Sequence, residues 1–112
     1  MARYECFSRS QQIEVDLLPL AREALESQGF KVRSALGESL SMIDTQPVRR
    51  LRERTVVILD QNRTHSGNAE LQCVISNEAI SNGPDCRCRN AFEHLLGCLH
   101  NAPFVEVETA AA

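Results

Sequence analysis

The run Thr55-Val56-Val57-Ile58-Leu59 sets four aliphatic side chains in succession behind a threonine. β-branched residues are stiff and suit a pleated strand better than a helix. Successive side chains on a strand point to opposite faces, so a strand with one wet face should alternate apolar with polar. This one does not alternate. Val56 and Ile58 point one way, Val57 and Leu59 the other. A following segment repeats the conflict, with Leu71, Cys73 and Ile75 on one face and Val74 on the opposite one. Ile43 against Leu40 and Met42 is a third instance. The chain must therefore build a sheet that carries apolar groups on both faces.

The remaining elements follow from periodicity. Residues 3–8 read as a first strand, with Tyr4 and Cys6 on one side. Ile13, Leu17, Leu20, Ala21, Ala24 and Leu25 then fall on one helical face, and Gly29 is a natural stop. A start near Asp16 caps that helix and leaves Pro19 in its first turn, where a missing N–H costs little. Residues 11–16 fit strand or helix equally. Phe30 with Val32, and Leu40 with Met42, give short strands before Pro47. The turn-forming stretch 62–68 separates the strand at 54–60 from the strand at 70–76. After Asn82-Gly83-Pro84-Asp85, Asn90 and Glu93 suggest a capped helix bearing Phe92, Leu95, Leu96 and Leu99.

The middle of the chain thus runs strand after strand without a helix between them. That order predicts an α+β fold: a four- or five-stranded, mostly antiparallel sheet, with helices near residues 16–28 and 90–100 packed on one face. At 112 residues the chain is one domain's worth, with residues 109–112 expected to fray. An apolar share of 43% supports a core without staples, and no apolar run nears the ~20 residues of a membrane span. No secretory signal is visible. The odd count of five cysteines reads as reduced thiols in a cytoplasmic protein.

Three constellations carry chemistry. Cys86, Cys88, Cys98 and His100 are zinc-ligand types, but a helix over 91–99 holds Cys88 and Cys98 roughly 12–15 Å apart. No metal site within one chain is expected. Cys86 and Cys88 remain candidate redox or metal-transfer thiols, because Arg87, Arg89 and a helix N-terminus would lower their pKa. Alternatively Cys88, four residues before Phe92, continues a buried stripe. Arg49, Arg50, Arg52 and Arg54 form a basic ribbon that could hold phosphates or another anion. Against nucleic acid stand a net charge of −3, an aromatic content of 4% and no aromatic between those arginines.

Hydrolytic catalysis has no visible foothold. His65 and Ser66 lack an orienting acid, His94 reads as a surface histidine, and no phosphate-binding glycine loop or H-E-x-x-H is present. No cofactor is implied. The unpaired apolar set on the sheet therefore carries the functional reading. Two helices cover one face, and the second needs a copy of this chain, another protein, or an internal cover from Phe104, Val105 and Val107 or from residues 11–16. Val57, Leu59 and Val74 are the interface candidates, and a homodimer is the first expectation. The alternatives are a thiol-based protein using Cys86 and Cys88, and a nucleic-acid binder using the arginine ribbon.

Overall fold

The structure, a computed structural model, describes residues 2–48, 54–78 and 87–111. The elements in chain order are β1 (Ala2–Ile13), α1 (Leu18–Glu26), β2 (Phe30–Leu36), β3 (Ser39–Asp44), β4 (Val56–Arg63), β5 (Asn68–Asn77), α2 (Arg87–His100) and β6 (Val105–Ala111). The strands form one six-stranded sheet in the order β2-β3-β4-β5-β1-β6. Every neighbouring pair is antiparallel. The class is the expected α+β. The sheet has one strand more than the sequence predicted, because the C-terminal segment pairs with β1 as an edge strand.

Consecutive strands β2 to β5 form a meander. The first strand does not pair with β2, its neighbour in sequence, but joins the far end of the meander. Helix α1 carries the chain across the sheet, so that β1 sits between β5 and β6. Residues 11–13, ambiguous in sequence, continue β1, which ends where Glu14 takes a left-handed φ of 65°. Among the described residues no helix is long and apolar enough to cross a membrane.

Both helices lie on one face of the sheet. Their buried side chains are Ala21, Ala24 and Leu25 of α1, and Cys88, Ala91, Phe92, Leu95 and Leu99 of α2. They cover Leu40, Met42, Val57, Leu59, Leu71, Cys73 and Ile75 from the sheet. Tyr4 meets Phe92 with ring centroids 5.2 Å apart. The register puts Val57 opposite Ile75 and Leu59 opposite Cys73, so all four side chains belong to this covered face. Val57 and Leu59 are fully buried there and cannot serve as an interface. Ile58 pairs with Val74, which places the second apolar set on the other face. Periodicity had separated the two sets correctly but assigned Val57 and Leu59 to the wrong side. Which set meets the helices is decided by packing, not by alternation within the strand.

Helix α1 begins later than its sequence suggested and is capped from elsewhere. Its N-cap is Leu17, which makes no side-chain cap bond. Gln61 of β4 supplies the acceptor: its Oε1 takes the Leu17 N–H at 2.7 Å and the Leu18 N–H at 2.9 Å. Pro19 has no N–H to satisfy. Asp16, the expected cap, pairs with Arg63 instead. Gly29, with φ of 91°, ends the turn after α1 as expected. Helix α2 starts at Arg87 rather than Asn90, so Asn90 is an interior residue.

Arg87 fixes the start of α2 to the sheet. Its guanidinium donates to Asp44 Oδ2 at 2.9 Å and Oδ1 at 3.1 Å, donates to the Gln28 carbonyl, and stacks 4.9 Å from the Phe30 ring centre. Asp44 is almost wholly buried, so this pair compensates a carboxylate that water cannot reach.

Candidate interaction face

The uncovered face is organised in rows across the strands. One row runs Lys31, Ile43, Val56, Ser76 and Arg3. The next runs Ser41, Ile58, Val74 and Glu5. A third runs Leu36, Ser39, Asp60, Gln72, Phe7 and Glu108. The last has Asn62, Glu70, Arg9 and Glu106. Ile43, Val56, Ile58 and Val74 therefore form a contiguous apolar centre, with Phe7 beside it. Ile58 is 48% exposed and Phe7 37%. A shallow groove of about 180 Å³ opens along Glu5, Phe7, Gln72 and Glu108.

No described segment lies over this centre. The C-terminal strand β6 extends the sheet at its edge, and residues 11–13 extend β1. Neither acts as the internal cover considered from sequence.

Charge is unevenly spread around the apolar centre. The row through Val56 ends in two cations, Lys31 and Arg3. The two rows at the opposite end hold Asp60, Glu70, Glu106 and Glu108 against a single cation, Arg9. Arg9 donates to Glu70 Oε2 at 2.6 and 3.0 Å, and its guanidinium lies 5.9 Å from the Phe7 ring centre. Its pKa is raised, first by the hydrogen bond and charge of Glu70, with Glu106 and Glu108 adding to the field. Gln11 donates to Glu106 at 2.7 Å, and Arg3 to Glu5 at 2.6 Å.

The other sequence candidates fall elsewhere. Cys88 is fully buried within α2 and its Sγ lies 3.6 Å from Thr55 Oγ1. It continues the helix's buried stripe and has no exposed surface in the folded chain. The positive charge of Arg87, invoked to activate it, is committed to Asp44, and Arg89 pairs with Glu93 at 3.1 Å. Cys86 lies outside the described residues, as do Arg49, Arg50 and Arg52. Arg54 is described: its Nη1 donates to the carbonyls of Asp44 and, at 3.3 Å, Gln46, so it braces the end of β3. Cys88 and Cys98 sit on the one helix α2, ten residues apart, about 15 Å along its axis.

Two arrangements escaped the sequence reading. His94 is not a plain surface residue. Its Nε2 lies 3.1 Å from Ser27 Oγ and 3.7 Å from Cys98 Sγ, in an apolar cleft between α1 and α2 lined also by Leu20, Glu23 and Ala24. Ser27 donates its own proton to the Ala24 carbonyl at 2.6 Å, so the histidine Nε2 is the donor towards Ser27. The four-residue spacing of His94 and Cys98 on a helix was the available signal. The second arrangement is Cys6 directly opposite Cys73 on neighbouring strands, which no sequence spacing could reveal.

No protein-family model matches the chain, and no curated protein shows significant similarity to it.

Proposed function

We propose that this chain is a small interaction module that self-associates through the open face of its sheet. The observation that carries the reading is the uncovered apolar centre formed by Ile43, Val56, Ile58 and Val74, on the face opposite both helices. Burying an aliphatic side chain of this size from full exposure contributes about 1.5–3 kcal/mol. Ile58 is half exposed and its three neighbours are partly exposed, so association gains the remaining fraction of that burial.

The charge pattern favours a second copy of the same chain. A two-fold axis lying in the interface and running across the strands sets the Lys31 and Arg3 end of one sheet over the Asp60, Glu70, Glu106 and Glu108 end of the other. Ile58 and Val74 then flank the axis, over the row of Asp60 and Gln72 in the other copy and diagonal to their own counterparts. With six strands at ~4.8 Å spacing and ~24 Å of strand length, the face projects on the order of 600 Å². That approaches the ~800 Å² per partner of a standard interface.

Sedimentation at micromolar concentration tests the reading directly. The expected species has twice the mass of one chain, and Ile58→Asp reduces it to a single chain that retains its fold. A wild-type protein that sediments as a monomer at about 100 µM, where interfaces of this size assemble, overturns the proposal. So does a dimer that survives Ile58→Asp unchanged.

A further inference from the structure

We propose that Cys6 and Cys73 are a reversible dithiol site, closed to a disulfide between β1 and β5 by hydroperoxides. The register of β1 on β5 is regular from Ala2 to Arg9, and within it Cys6 and Cys73 are direct partners. Facing residues of an antiparallel pair have Cα atoms ~4.5–5.5 Å apart. Disulfides span ~4.4–6.8 Å between Cα atoms, so closure requires no slippage of either strand. Both side chains lie on the helix-covered face, with Cys73 fully buried and Cys6 3% exposed. Both are free thiols.

The two thiols are chemically unequal. The interaction with Cys73 lowers the Cys6 pKa against the opposing effect of burial. The same interaction, together with burial, pushes Cys73 well above the ordinary thiol range. Cys6 is therefore the attacking thiolate and Cys73 the resolving thiol. Hydrogen peroxide is scarcely larger than water, and so suits a site with this little exposed surface.

In the first step the Cys6 thiolate attacks one peroxide oxygen. An S–O bond forms, the O–O bond breaks, and hydroxide leaves. The product is a sulfenic acid on Cys6. Cys73 then attacks that sulfur, forming the S–S bond as the S–O bond breaks. The departing hydroxide takes up the Cys73 proton as water. In sum two thiols lose two electrons and two protons, and one peroxide becomes two waters. A small dithiol reverses the change by two thiol–disulfide exchanges.

The consequence is a lock on the N-terminal strand. In the reduced chain β1 is held to β5 by ladder bonds, packing and side-chain bonds such as Arg9 to Glu70, and the disulfide makes that pairing covalent. This site is independent of self-association, because it lies beneath the helices rather than on the open face.

Peptide mapping of the full chain without reduction tests the proposal. After treatment with equimolar hydrogen peroxide, the intact mass falls by two hydrogens, and the segments bearing Cys6 and Cys73 appear as one linked species. Dithiothreitol restores the original mass. Amide exchange along β1 slows at least tenfold in the oxidised form. Cys98→Ser leaves the linkage intact, and Cys73→Ser strands the reaction at a Cys6 sulfenic acid that dimedone traps. Linkage through Cys86, Cys88 or Cys98 instead, or no linkage in a wild-type chain whose other thiols are oxidised, overturns it. The wild-type map decides even where the Cys73 variant does not fold.

Discussion

The two faces of the sheet are built from the same strands and nearly the same residue types, yet they serve different ends. On β4, Val57 and Leu59 have no exposed surface, while Ile58 between them is 48% exposed. The helix-covered face holds the tertiary structure together. The open face contributes little to that, and its apolar centre gains by burial only when something else arrives. Hydrophobicity alone therefore does not separate core from contact surface; position relative to the helical layer does.

The severest test of that contrast is a pair of charge insertions. Leu59→Asp sets a carboxylate among Leu40, Cys73 and the helices with nothing to pair it, and should cost more than about 4 kcal/mol, enough to unfold the chain. Ile58→Asp, one residue away, should leave the far-ultraviolet circular dichroism and the urea midpoint of the monomer within about 1 kcal/mol of wild type. If both variants unfold, the faces are not distinct in the way described.

A second test concerns how the covered face is anchored. Arg87→Ala leaves Asp44 buried without its cation and should lower stability by about 3 kcal/mol in urea titration. Arg3→Ala on the open face removes a pair whose partners are both substantially exposed, and should change stability by less than about 0.5 kcal/mol. Equal losses from the two would erase the distinction.

These predictions rest on features of unequal legibility. The alternations, the turn at Gly29 and the short polar break after β4 identified the meander, because they depend on neighbours in sequence. The conflict of apolar residues on β4 and β5 was visible too. Its resolution was not: whether Val57 or Ile58 lies beneath the helices follows from strand register and helix placement. The cap of α1 illustrates the same limit. Asp16 was the local candidate, but the acceptor comes from Gln61, far along the chain. The Cys6 and Cys73 pairing likewise requires the β1 to β5 register. From sequence, fraying is expected at 109–112 and a possible cover from Phe104, Val105 and Val107, because the pairing of this segment with β1, about a hundred residues earlier, leaves no local signal.

Smaller effects sharpen the picture. Gln61→Ala removes the acceptor for two N–H groups at the start of α1 and should cost about 1–2 kcal/mol, with amide exchange rising first at Leu17 and Leu18. Ser8 offers a gain rather than a loss. Its hydroxyl is buried on the covered face with no hydrogen-bond partner among the described residues. Ser8→Ala should leave stability unchanged or raise it by up to about 1 kcal/mol, measured as a shift in urea midpoint at constant slope.

The place of β1 in the sheet also governs the order in which the molecule can be assembled. Strands β2 to β5 meet partners close by in the chain and can condense early. β1 must wait, since Cys6 is matched with Cys73 on one side and with Thr109 on the other. Contacts so distant in sequence slow the search, which points to folding over milliseconds to seconds rather than microseconds. During that interval both margins of the longest strand stand open, and open strand margins template pairing between chains. A crowded nascent population is thus most vulnerable at its first dozen residues, and the vulnerability ends only when the last strand docks.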